Sequence, residues 1–333
     1  MRDIGVMLCG HGSRDEAACQ EFARLVGLVR ASLPEWPVEH GYLEFARPII
    51  RDGLDRLRTR GVQRIIAVPG MLFAAGHVKN DVPSVLNTYA ARHGLRIDMG
   101  RDLGIDAKLL EASRDRIEAS LAGAADPVPR EDTLLLVVGR GTSDSDANGN
   151  VAKVARMLWE GMGFAHAEIA YSGVAHPRTD VALERALRLG FRRIVVFPYF
   201  LFTGVLVQRI YAAAAAAAAR NPATQILTAG YLNDHPQVVA TFVARIRGVL
   251  EGDTAMNCSL CQYRTRILGH EAALGAPQES HHHHVEGIGT DHHHHHHHDH
   301  HHGGDHPHGD HGHEDRGAHA HHHHRAQRPV AAE

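Results

Sequence analysis

The second half of this chain repeats the first at a constant offset of 129 residues. Gly10-His11-Gly12-Ser13-Arg14-Asp15 falls on Gly139-Arg140-Gly141-Thr142-Ser143-Asp144, Tyr42 on Tyr171 and Pro48 on Pro177. Further along, Gly61 falls on Gly190, Pro69 on Pro198, and Leu72-Phe73 on Leu201-Phe202. So many matches at one spacing, without a gap, mark the duplication of a whole domain. One fold must therefore be built twice, and a duplicated domain usually leaves a cleft between its copies.

Each copy alternates buried-strand and amphipathic-helix signals. In the first, apolar runs at 4–9, 38–43, 64–73 and 95–99 are separated by helical stretches near 15–32, 47–60 and 79–93, with another near 106–121. That βαβα order predicts an α/β fold, with a mostly parallel sheet covered by helices on both faces. A length of 333 residues suits two domains, expected at 1–125 and 133–252 and joined by the linker 126–132. Tyr211, eight alanines and Arg220 predict a helix whose small side chains pack closely or lie exposed. A last amphipathic helix is expected at 235–251.

The copies differ where chemistry would sit. His11, Glu44 and His77 all fall at or just after the carboxyl ends of successive predicted strands, where an open α/β sheet places its ligands. The second copy has Arg140, Gly173 and Leu206 at those positions. The first copy is thus read as the catalytic half and the second as a half with a degenerate site. Two neutral imidazoles and a carboxylate suit a borderline divalent metal such as Co, Ni, Fe or Zn, and three protein ligands leave coordination positions open. Each histidine alone could equally cap a helix or bond within a loop; loss of all three together from one copy favours a joint role as metal ligands or acid and base.

Other classes find less support. A formal net charge of -3 gives no general case for nucleic acid or an anionic membrane as partner. The apolar runs are strand-sized and Met1-Arg2-Asp3 lacks a signal core, so the cytoplasm is the expected compartment. Neither Gly10-His-Gly-Ser nor Gly139-Arg-Gly-Thr has the third glycine of a dinucleotide loop or the Gly-Lys-Ser/Thr of a phosphate loop, so no nucleotide is expected. Asp144-Ser-Asp-Ala-Asn-Gly begins like a calcium loop but has Ala155 where a bidentate glutamate is required; a helix cap accounts for it better.

Two features follow the last predicted helix. In segment 253–270, Cys258 and Cys261 are spaced to share a metal or cluster edge, yet four ligands are needed. A homodimer supplying the same pair twice is one arrangement, and an exposed reduced dithiol is the plainer one. From 271 to 333 large apolar residues almost vanish, so this tail cannot bury enough surface to fold alone. It holds His281 to His284, His292 to His298, His300 to His302 and His321 to His324, interleaved with aspartates. Mostly unprotonated at neutral pH, these imidazoles form a many-site binder of divalent metal ions.

Taken together, Gly10-His11-Gly12-Ser13-Arg14, Tyr42-Leu-Glu44, Phe73-Ala-Ala-Gly76-His77-Val78-Lys-Asn-Asp81-Val-Pro83, the cysteine pair and the histidine-rich tail resemble the class II tetrapyrrole chelatases in their long form. The resemblance covers nearly the whole chain. It implies two tandem flavodoxin-like domains with parallel sheets and a tetrapyrrole in the cleft between them. It also implies ATP-independent insertion of Co(II) into sirohydrochlorin on the route to cobalamin. His11 and His77 would be metal ligands, Glu44 a ligand or proton acceptor, and Cys258 and Cys261 part of an iron-sulfur cluster. Arg14, Arg47, Lys79 and Arg140, near predicted strand ends, are candidate partners of the substrate carboxylates. Iron or nickel are alternative metals, and a metal storage or delivery protein built around the tail is the alternative of another class.

Overall fold

In the computed structural model, residues 3–256, 261–264 and 266–276 are described. Cys258 and the histidine clusters of the tail lie outside these residues. The first half runs β1 (Ile4–Gly10), α1 (Glu16–Ser32), β2 (Val38–Tyr42), α2 (Ile50–Thr59), β3 (Arg64–Pro69), α3 (Val82–His93), β4 (Arg96–Met99) and α4 (Ala107–Ala122). The second runs β5 (Thr133–Gly139), α5 (Ser145–Met162), β6 (His166–Tyr171), α6 (Thr179–Arg188), β7 (Arg193–Pro198), α7 (Val205–Arg220), β8 (Gln225–Thr228) and α8 (Pro236–Glu251). Each half is a four-stranded, wholly parallel sheet, in the orders β2-β1-β3-β4 and β6-β5-β7-β8. The repeat extends to backbone detail: Phe45 and Val174 both take positive φ, at 64° and 34°, and Pro48 and Pro177 both follow cis peptide bonds.

Side chains alternate across the central strands, and each face finds its own cover. Val6 and Leu8 of β1 join Leu135 and Val137 of β5 in one core that also takes in Phe22 and Leu25 of α1 and Phe242 of α8. Met7 and Cys9 turn the other way, to Leu54 and Leu86 beneath α2 and α3. In the second half, Leu134 and Leu136 pack with Leu183 and Ile210 beneath α6 and α7. The central strands read as unbroken apolar runs because both faces are buried. The alanine-rich α7 turns Ala214 and Ala217 inward, where small side chains let the helix sit close to its sheet.

Helix starts follow the expected chemistry. Asp15 accepts a hydrogen bond from the Ala17 N–H at 3.0 Å, and Asp144 accepts from the Asp146 N–H at 3.0 Å, so both aspartates cap their helices. Between β3 and α3 the chain departs from expectation. The strand leaves the sheet after Pro69 rather than continuing to residue 73, because Met71 and Leu72 are claimed by the loop after β4: the Leu103 and Gly104 amides donate to their carbonyls. Moreover, α3 is preceded by a single π-helical turn, His77–Asp81. Such wide turns recur at functional sites.

The halves are locked by buried polar contacts as well as by the shared core. Lys79 of the π turn reaches across to Asp144 at 2.8 Å and Asp146 at 3.2 Å, with only 5% of its side chain exposed. Burial alone would lower the Lys79 pKa, but the two carboxylates hold it above the ordinary lysine value. A group with a raised folded pKa stabilises fully at neutral pH and loses that contribution only as pH rises through that pKa. Lys79→Met would leave the two carboxylates buried without their cation. A stability loss of about 3 kcal/mol is expected, read as a lowered midpoint in urea unfolding at pH 7.

Candidate metal centre

Three strand ends converge as the topology requires. Each half places β1 or β5 in the middle of its sheet, so the loops after β1, β2 and β3 share one rim. Gly12 permits the first of them: with φ at +93°, a Cβ there would sit 1.8 Å from the Glu44 carbonyl oxygen. The β1 and β2 loops therefore touch backbone to backbone, and the Glu44 N–H donates to the His11 carbonyl at 3.0 Å. His77 arrives on the π turn.

One ligand atom each from His11, Glu44 and His77 lie within 4.8 Å of one another, the one such cluster of metal-binding side chains among the described residues. His11 Nε2 is 3.3 Å and His77 Nε2 4.0 Å from Glu44 Oε1, and the imidazole rings stand nearly perpendicular, with centroids 4.7 Å apart. The far nitrogens fix the tautomers. His11 Nδ1 donates to the Gly12 carbonyl at 2.8 Å, and His77 Nδ1 to Asp81 Oδ2 at 2.8 Å. Both Nε2 lone pairs are thereby turned to the shared space, the arrangement in which imidazole binds a divalent ion. Glu44 is buried, and its Oε2 has no hydrogen-bond partner among the described residues. Leaving a buried carboxylate oxygen in that state is costly, which fits a place for a cation or a proton.

Sequence reasoning gave Asp81 no role, although its spacing of four from His77 was the available signal. At 2% exposure it orients the imidazole rather than meeting solvent. Asp81→Asn should weaken Co(II) binding by about 10-fold or more while leaving the fold intact, as isothermal titration of the purified variant would show.

The cluster opens into a cleft of about 510 Å³ lined by both halves. From the first come His11, Arg14, Phe45, Phe73 and His77; from the second, Arg140, Tyr199, Leu201, Phe202 and Leu206. Arg14 and Arg140 thus stand where an anionic ligand would meet them. Desolvation inside the cleft lowers the Arg140 pKa, while the nearby Glu44 carboxylate raises it. Two other candidate partners of the substrate carboxylates stand elsewhere. Lys79 points into its ion pair with Asp144 and Asp146 rather than into the cleft, because the π turn buries it against the other half. Arg47 lies off the cleft wall, at 3.9 Å from Asp52 with most of its side chain in solvent.

The iron-sulfur expectation gains nothing from the structure. Cys261 is buried, Cys258 lies outside the described residues, and Cys9 and Cys19 belong to β1 and α1. None of Cys9, Cys19 and Cys261 joins a group of three metal ligands among the described residues. No described helix is long and apolar enough to cross a membrane.

Two parallel α/β halves around a cleft, with a histidine-glutamate-histidine cluster in one half only, define a duplicated chelatase-type protein. The chain belongs to the CbiX family, whose model matches residues 5–120 and again 134–249. It is 35% identical to a sirohydrochlorin cobaltochelatase of Priestia megaterium, over 80% of this chain and 86% of that protein. It is 30% identical to a sirohydrochlorin ferrochelatase of Bacillus subtilis, over 73% of this chain and 90% of the relative. The sirohydrochlorin chelatase SirB of Bacillus subtilis subspecies spizizenii, solved in complex with cobalt, superposes with a TM-score of 0.64 at 26% identity, covering 76% of this chain and 97% of that one.

Proposed function

We propose that this protein inserts a divalent metal, Co(II), into sirohydrochlorin without nucleotide hydrolysis. The observation that carries the reading is the convergence of His11 and His77, on the wall of a cleft of about 510 Å³, with the buried Glu44 beside them. Insertion needs a metal held on one face of the macrocycle and a base that takes the pyrrole protons. Two Nε2 lone pairs present the metal. Glu44, with one oxygen beside the imidazoles and the other without a hydrogen bond among the described residues, can hold the ion and accept a proton. A site with few protein ligands surrenders its ion more readily than a closed four-ligand one. Arg14 and Arg140, on opposite halves, are placed to pair with peripheral carboxylates of the ring.

Cobalt is supported by the 35%-identical relative and iron by the ferrochelatase relative, and an N/O ligand set accommodates either ion. The test is an anaerobic spectroscopic assay of metal-free sirohydrochlorin with Co(II), Fe(II) or Ni(II) and no ATP. Turnover fastest with Co(II) is expected. Faster turnover with Fe(II) would reassign the metal, and no acceleration over the uncatalysed rate with any of the three would overturn the function.

A further inference from the structure

We propose that Phe45 contacts the substrate macrocycle directly, its ring forming the seat for one pyrrole unit beside the metal cluster. The inference rests on the tetrapyrrole reading above and deepens it. Phe45 follows Glu44 at the apex of a three-residue γ-turn, in which the Ala46 N–H donates to the Glu44 carbonyl at 2.9 Å. Its φ of 64° lies in the left-handed region, an uncommon conformation for a bulky residue. That backbone swings the side chain away from the core, so a large aromatic is left 44% exposed while lining the cleft. Exposing such a ring gives up hydrophobic stabilisation that a ligand could restore.

Its surroundings specify the ligand. The ring centroid is 6.2 Å from that of His11, so a macrocycle centred on an ion at His11 would extend over Phe45. The Arg14 guanidinium sits 5.1 Å from the Phe45 centroid. A ring that carries a guanidinium over it and is still 44% exposed offers apolar surface next to a cation, which matches a flat conjugated ring with carboxylates at its edge. At the equivalent position of the second half, Val174 keeps the positive φ but carries no ring. The backbone device is common to both halves, whereas the aromatic surface stands only beside the metal cluster.

Phe45→Gly suits the test, because glycine adopts this φ without strain and the variant should fold. Binding of metal-free sirohydrochlorin would be followed by fluorescence titration, and Co(II) affinity by calorimetry. Phe45→Gly should weaken tetrapyrrole binding about 10-fold with Co(II) affinity unchanged, and Phe45→Tyr, which keeps the ring, should bind within two-fold of wild type. Wild-type tetrapyrrole affinity in Phe45→Gly would overturn the proposal. So would a parallel fall in Co(II) affinity, since the ring would then support the metal cluster rather than touch substrate. If wild type itself fails to bind sirohydrochlorin while binding Co(II), the tetrapyrrole reading falls and takes this proposal with it.

Discussion

Replacing His77 with alanine should lower the rate of Co(II) insertion by more than about 100-fold while leaving the thermal midpoint within a few degrees of wild type. Losing an outer partner of a metal ligand costs about 10- to 100-fold, and losing the ligand itself should cost more. His77 sits at the start of the π turn with its imidazole facing the cluster, and the second half has Leu206 at the matching position. His77→Leu is therefore a natural companion, a side chain that the twin scaffold already tolerates. Both variants should retain the near-ultraviolet circular dichroism of the folded chain. If either inserts cobalt at the wild-type rate, His77 is not a ligand on the reaction path.

Glu44→Gln should separate holding the metal from moving the proton. The amide matches the carboxylate in shape and keeps one oxygen near the imidazoles, but it cannot take a pyrrole proton. General-base contributions are typically about 100- to 10,000-fold, so the rate at saturating Co(II) should fall by at least about 100-fold. Co(II) affinity should fall too, by less, because the two imidazoles remain. Equal losses in affinity and rate would make Glu44 a ligand only. Little loss in either would leave its burial at 5% exposure and its lone Oε2 without an explanation.

The topology was legible because duplication is a property of sequence alone. Once Gly10-His-Gly-Ser was seen to repeat as Gly139-Arg-Gly-Thr, the element order of one half fixed the other, and α2, β3, β4 and α4 each begin 129 residues before their counterparts. The convergence of His11, Glu44 and His77 followed from parallel topology, since successive βα loops share a rim. What stayed hidden was side-chain direction. Lys79 is two residues from His77, and only the wide π turn decides that one faces the cleft and the other the second half. Phe45 was invisible for a related reason: glycine and asparagine advertise a positive φ, whereas phenylalanine does not. The early end of β3 depended on hydrogen bonds donated by Leu103 and Gly104, more than thirty residues downstream, which no local pattern encodes.

The central claim is that His11, Glu44 and His77 together hold the ion that is given to the ring. Anomalous scattering at the cobalt edge, from crystals of the full chain soaked with Co(II), tests it most directly. A peak within about 2.0–2.2 Å of His11 Nε2, His77 Nε2 and a Glu44 carboxylate oxygen is the result expected. Cobalt bound elsewhere in the folded halves, with that space empty, would contradict it.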